Sequence, residues 1–104
     1  MDVNEFAQVV LEQTRDRIER MYSAEQASWE GVEVIPGPKY TKVNVGPERD
    51  GHVGAGKFMV ENATGIIYGI KGYGKVHKGH MYGTLDTVDR WWWGDYYPER
   101  RRTA

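Results

Sequence analysis

The chain of 104 residues contains no cysteine. Disulfides, zinc-thiolate centres and a cysteine nucleophile are therefore excluded. Serine stands only at Ser23 and Ser28, and no GxSxG motif occurs, so a Ser-His-Asp hydrolase has no evident nucleophile. Leucine is confined to Leu11 and Leu85. No apolar run approaches the roughly 20 residues that span a bilayer. The opening MDVNEFAQ is acidic where a secretory leader is basic. These absences favour a cytoplasmic protein with no membrane partner.

Aromatic residues and glycine fill the gap. Seven Tyr and four Trp supply the bulk that leucine does not, and Gly occurs 13 times. With 39% hydrophobic and 28% charged residues, the composition is that of a folded domain, and the length suits one. The net charge of −1 hides an asymmetry. Residues 1–35 carry eight acidic and three basic side chains, whereas residues 36–104 carry seven acidic and eleven basic ones. The run 66–83 holds three lysines, two histidines and no acid. Such a split marks either two faces with different partners or two halves that attract one another.

Residues 3–22 are read as an amphipathic helix. Val3, Phe6, Ala7, Val10, Ile18 and Met21 recur near helical spacing, Asp2 or Asn4 is placed to cap the start, and Thr14 interrupts the stripe. Helicity is expected to fade through Ser23–Ser28. Val32–Ile35 reads as a short strand, Pro36-Gly37-Pro38 as a break, and Tyr40–Val45 as a second strand. Gly46–Gly56 reads as a loop. Lys57–Glu61 and Ile66–Ile70, joined by Asn62-Ala63-Thr64-Gly65, form the clearest hairpin. Lys71–Gly83 holds too many glycines for a regular central strand. Leu85–Arg90 is read as either a short helix capped by Thr84 or a strand. The expected fold is α+β in a single domain over 1–104. The N-terminal helix packs on a small antiparallel sheet of about three strands across the β-rich 32–83, with Gly-rich loops, an aromatic flank at 84–98 and a basic tail at 99–104.

Three patterns bear on function. His77-x-x-His80 offers two imidazoles, but the flanking glycines disfavour a helix and a metal needs three or four ligands, so no metal is expected. Gly69-x-x-Gly72-x-Gly74-Lys75 lacks the hydroxyl that follows the lysine in a phosphate loop, Val76 standing in its place, and does not match the dinucleotide fingerprint. No cofactor is expected. The third pattern is aromatic plus basic. Trp91–Trp93, Tyr96 and Tyr97 lie near Arg90 and Arg100–Arg102. Three consecutive Trp cannot all face inward on a strand, so at least one is expected to be exposed or to meet a partner.

The leading expectation is a non-enzymatic binding module. It docks a protein partner, or a second copy of itself, through Trp92, Trp93, Tyr96 and Tyr97, with Arg100 at the rim. The alternative is nucleic-acid or nucleotide binding by Lys71, Tyr73, Lys75, His77 and Lys78, where cations alternate with a stacking ring. A second alternative is an enzyme using His77 or His80 in acid–base work. No catalytic residues are assigned.

Lys39-Tyr40-Thr41-Lys42, Gly56-Lys57-Phe58-Met59-Val60 and Thr64-Gly65-Ile66-Ile67-Tyr68-Gly69-Ile70-Lys71 together resemble a group of small proteins encoded by bacteriophages, especially those of actinobacteria. The resemblance covers about residues 39–83. It implies a phage or prophage origin, a place in the host cytoplasm, and no activity that can be carried over to particular residues.

Overall fold

A computed structural model of the chain describes residues 1–71 and 74–101. Helix α1 (Val3–Met21) matches the expected helix to within one residue. Asp2 caps it through a reciprocal capping box. Its side chain accepts from the Glu5 amide at 2.8 Å, and Glu5 Oε1 accepts from the Asp2 amide at 3.1 Å. This satisfies two of the donors that a helix start leaves without partners. The buried face runs Phe6, Ala7, Val10, Leu11 and Thr14. Instead of fading, the chain forms a second short helix, α2 (Ala24–Ser28), because the Ser23 hydroxyl accepts from the Gln26 amide at 3.1 Å.

Six strands follow: β1 (Glu30–Ile35), β2 (Tyr40–Arg49), β3 (His52–Val53), β4 (Gly56–Glu61), β5 (Ile66–Lys71) and β6 (Lys75–Thr84). They form one antiparallel sheet in the order β1-β2-β4-β5-β6, with β3 paired to β2. The fold is α+β with an N-terminal helix on an antiparallel sheet, but that sheet has six strands, not about three.

Two misread segments account for the difference. Residues 46–56, expected as a loop, instead extend β2 and turn back into β3. Asp50 and Gly51 both take positive φ, 53° and 79°, between the paired Arg49 and His52. That is the two-residue Asp-Gly turn whose twist suits a hairpin. Residues 75–84, expected to be too glycine-rich for a regular strand, pair with β5 through an irregular register. The expected β4–β5 hairpin is present, with Gly65 at φ 74° and its amide donating to the Glu61 carbonyl at 2.8 Å.

A 3₁₀-helix (Leu85–Arg90) follows, and Thr84 caps it, its hydroxyl accepting from the Asp86 amide at 3.2 Å. The chain closes with β7 (Trp91–Trp92) paired to β8 (Glu99–Arg100).

The core lies between α1 and the sheet. Phe6, Val10, Val43, Phe58, Ile67 and Trp93 are its largest fully buried side chains. The Trp93 ring meets Phe6 edge-on at 4.8 Å and Phe58 at 5.3 Å, a geometry favoured by the ring quadrupoles. Gln13 Oε1 accepts from the Trp93 amide at 2.7 Å and the indole Nε1 donates to the Val88 carbonyl at 2.9 Å. Among the described residues no helix is long and apolar enough to cross a membrane.

Candidate functional site

The inward stripe of α1 ends in polar residues. Thr14 lies four positions after Val10 and Arg17 three after Thr14, so both project on the sheet side of the helix. There they meet a cleft of about 710 Å³ whose lining includes Thr14, Arg17, Glu30, Lys57, His80 and Tyr82.

Lys57 reaches this cleft because of a bulge. On β4, Phe58 pairs with Val43 and Gly56 pairs with the next residue of β2, Asn44. Lys57 is the extra residue, and strict alternation would place it on the face opposite Phe58. The bulge turns it toward the helix side instead, where its Nζ donates to the Asp95 carbonyl at 3.3 Å. Asp95 is held in turn by Arg17. The Arg17 Nε donates to the Gly94 carbonyl at 2.8 Å and lies 3.9 Å from Asp95 Oδ1.

Irregular pairing builds the opposite wall too. Between the pairs Gly69–His77 and Tyr68–Met81, β5 advances one residue and β6 advances four. The slack in Lys78-Gly79-His80 folds His80 back over His77, with ring centroids 3.9 Å apart. Gly69 is required beneath them. A Cβ there would stand 3.1 Å from His80 Cβ and 3.6 Å from Tyr82 Cε2. From the core outward the aromatic contacts are continuous. Phe58 meets Tyr82 at 6.0 Å, Tyr82 meets His80 at 6.3 Å, and His80 meets Tyr97 at 6.2 Å.

The electrostatics of the floor are strained. Burial, and then the neighbouring Arg17 charge, push the Lys57 amine below its ordinary range, against the opposing pull of Glu30 and Asp95. Burial raises the Glu30 carboxyl, opposed by Lys57, Arg17 and Arg15. Among the described residues neither Lys57 nor Arg17 closes an ion pair with Glu30. Glu30 Oε2 and Thr14 Oγ1 are both buried without a hydrogen-bond partner. Unpaired buried polar atoms are costly, and these two lie in the lining of one cleft. Burial, followed by the Tyr97 phenol, raises Tyr82 and keeps it neutral. His77 is lowered by desolvation first, then by His80 and Lys71.

The residues anticipated from sequence scatter across this frame. Lys71 and His77 line the cleft. Lys75 and Lys78 are exposed on β6, and Tyr73 and Arg102 lie outside the described residues. Trp93 is core, with no exposed surface, because its inward turn completes the aromatic cluster. Trp91 and Trp92, by contrast, each keep part of their surface exposed. Trp91 is half-buried against Tyr82 at 5.6 Å, and the half-buried Trp92 lies between the guanidinium groups of Arg20 and Arg101, at 5.7 and 5.8 Å. The exposed aromatics of the flank are Tyr96 and Tyr97, at 79% and 59%. Arg100 is exposed on β8.

His52 sits apart, 3.7 Å from Glu33, and Asp86 lies 3.9 Å from the N-terminal amine. Among the described residues no group of three or more His, Asp or Glu is placed to hold a metal ion. Sequence reading missed Thr14, Arg17, Glu30, Lys57, Tyr82 and Asp95. For the first two a signal was present, since polar residues continue an otherwise apolar helical stripe. No protein-family model, curated protein or solved structure matches this chain.

Proposed function

We propose that the chain is a non-enzymatic binding module whose cleft takes a small anionic ligand bearing a flat ring, of the nucleotide class. One observation carries this reading. Lys57, turned inward by its bulge, converges with Arg17 below an aromatic wall of His80, Tyr82 and Tyr97. The two cations suit a phosphate, the rings suit a base, and the unpartnered Glu30 and Thr14 oxygens suit its polar edge. The aromatic flank supports a protein interface less well, because Trp93 is consumed by the core and Trp92 is covered by arginines. The resemblance to phage-encoded proteins fits a module that works in a host cytoplasm.

Calorimetric titration with adenosine monophosphate, adenosine and a short single strand, at low and moderate salt, tests the reading. The nucleotide should bind saturably, and adenosine at least tenfold more weakly, about the 1.4 kcal/mol or more expected of a charge-assisted contact. Lys57→Met should remove that difference while Lys78→Ala preserves it. Absence of any binding at low salt, where attraction is strongest, refutes the reading.

One feature favours a second reading, docking to a protein. Tyr96 and Tyr97 form an edge-on pair at 4.8 Å at the surface. Replacing both by Ala should abolish any oligomer seen by light scattering while leaving the melting temperature near wild type. A large loss of stability would show that the pair belongs to the fold.

A further inference from the structure

Lysine is an ordinary surface cation at most positions of this chain. Lys39, Lys71, Lys75 and Lys78 are exposed, and none of their amines donates a hydrogen bond to another described residue. Lys57 differs in placement. It is the bulged residue of β4, half-buried, and it faces an open cleft. Its amine has a single acceptor, the Asp95 carbonyl at 3.3 Å, and no carboxylate within ion-pairing distance among the described residues. Arg17 lies in the same lining, as do Glu30 with a buried, unpartnered Oε2 and Thr14, only 6% exposed, with an unpartnered hydroxyl. An amine, a carboxyl, a hydroxyl and a second cation thus share one partly dehydrated space. These are the groups that imine formation needs.

We infer that Lys57 is a reactive amine that captures an anionic carbonyl compound, a 2-oxo acid or an anionic aldehyde, as a reversible imine. The inference rests on the reading that this cleft takes an anionic ligand. Arg17 holds the ligand's negative group. The neutral Lys57 Nζ lone pair bonds to the carbonyl carbon, and the C=O π pair moves to oxygen, which takes a proton from the Glu30 carboxyl. The resulting Glu30 carboxylate removes a proton from the new ammonium nitrogen, giving a carbinolamine. Glu30 then protonates the hydroxyl, which leaves as water while the nitrogen lone pair closes the C=N bond. The products are a protonated imine, the Glu30 carboxylate and one water, with nothing oxidised or reduced. Burial and Arg17 disfavour the ammonium form and so raise the share of neutral amine open to this step.

The test is reductive trapping of the full chain with glyoxylate and cyanoborohydride near neutral pH, followed by intact mass and peptide mapping. Lys57 should acquire the carboxymethyl group first, roughly tenfold faster than Lys71, Lys75 or Lys78, as a desolvated amine does. Glu30→Gln should slow trapping at Lys57 alone and flatten its dependence on pH. Even labelling of all lysines, or earlier labelling of the exposed ones, overturns the inference, with no dependence on whether a variant folds. Adenosine monophosphate binding, measured on the same preparation, separates the two ideas. Nucleotide binding without preferred Lys57 trapping removes the imine and leaves the binding module. Preferred Lys57 trapping without nucleotide binding retains the imine and removes the nucleotide.

Discussion

Replacing Trp93 by Phe separates core from surface most cleanly. The indole is fully buried, in edge contact with Phe6 and Phe58, and its N–H donates to the Val88 carbonyl, which also accepts from the Trp91 amide. Phe keeps a ring in the cluster but leaves a void of roughly 40 Å³, which costs about 1 kcal/mol at the usual cavity penalty. It also removes one of the two hydrogen bonds to the Val88 carbonyl, which keeps the Trp91 amide, at about 0.5–1.5 kcal/mol. The sum of about 1.5–2.5 kcal/mol is a sizeable share of the roughly 5–15 kcal/mol that stabilises a domain of this kind. In urea, with a slope of about 1–3 kcal/mol per molar, the midpoint should fall by roughly 0.5–2.5 M. Circular dichroism in the far ultraviolet is the proper probe, since three other tryptophans complicate fluorescence. Tyr96→Ala, at a 79% exposed site, should change stability by no more than about 0.5 kcal/mol. A Trp93→Phe variant as stable as wild type would refute the argument that this ring organises the core.

Other expectations follow from close packing and charge. A Cβ on Gly94 would lie 2.6 Å from the Gln13 carbonyl and 2.5 Å from the Trp92 ring. Gly94→Ala should therefore cost about 1–3 kcal/mol in a thermal melt and loosen the Arg17 hold on this segment. His77, lowered in the folded state, binds fewer protons there than in the unfolded chain. Stability should thus decline as pH falls through the imidazole range below 6.5, and His77→Gln should remove that slope. Glu30, raised in the folded state, acts with opposite sign. Its contribution is complete below 4.5 and is lost as pH rises through its folded value, a loss absent in Glu30→Gln. Denaturant midpoints measured across pH check both, and slopes of the reverse sign would contradict the assigned environments.

Helix α1, its Asp2 cap, the β4–β5 hairpin and the Thr84-capped turn were legible because each depends on local spacing: helical periodicity, a side chain three residues from an amide, or a glycine at positive φ. Strand β6 was not, because part of its fit depends on a glycine of the neighbouring strand β5. Gly69 makes room for His80, and that need is invisible without the register. The same limit hid the cleft. Nothing local to Gly56-Lys57-Phe58 says that Lys57 shares the face of Phe58; the bulge exists only once β2 has paired with β4. In the triple tryptophan, alternation correctly forbade three inward rings, yet it could not foresee two arginines shielding Trp92 from opposite ends of the chain.

The bond from the Trp93 amide to Gln13, across 80 positions, bears on how the molecule is made. A ribosome delivers α1 first, and the helix leaves the exit tunnel with Phe6 and Val10 uncovered. The sheet supplies part of their cover as it grows, but the ring that fills the centre arrives after all six of its strands. Until then the nascent chain displays an apolar stripe with no lasting partner, the kind of surface that chaperones hold and that aggregates when crowded. Synonymous codons that slow synthesis between the sheet and Trp93 should therefore lower the soluble yield without altering a single contact of the finished protein.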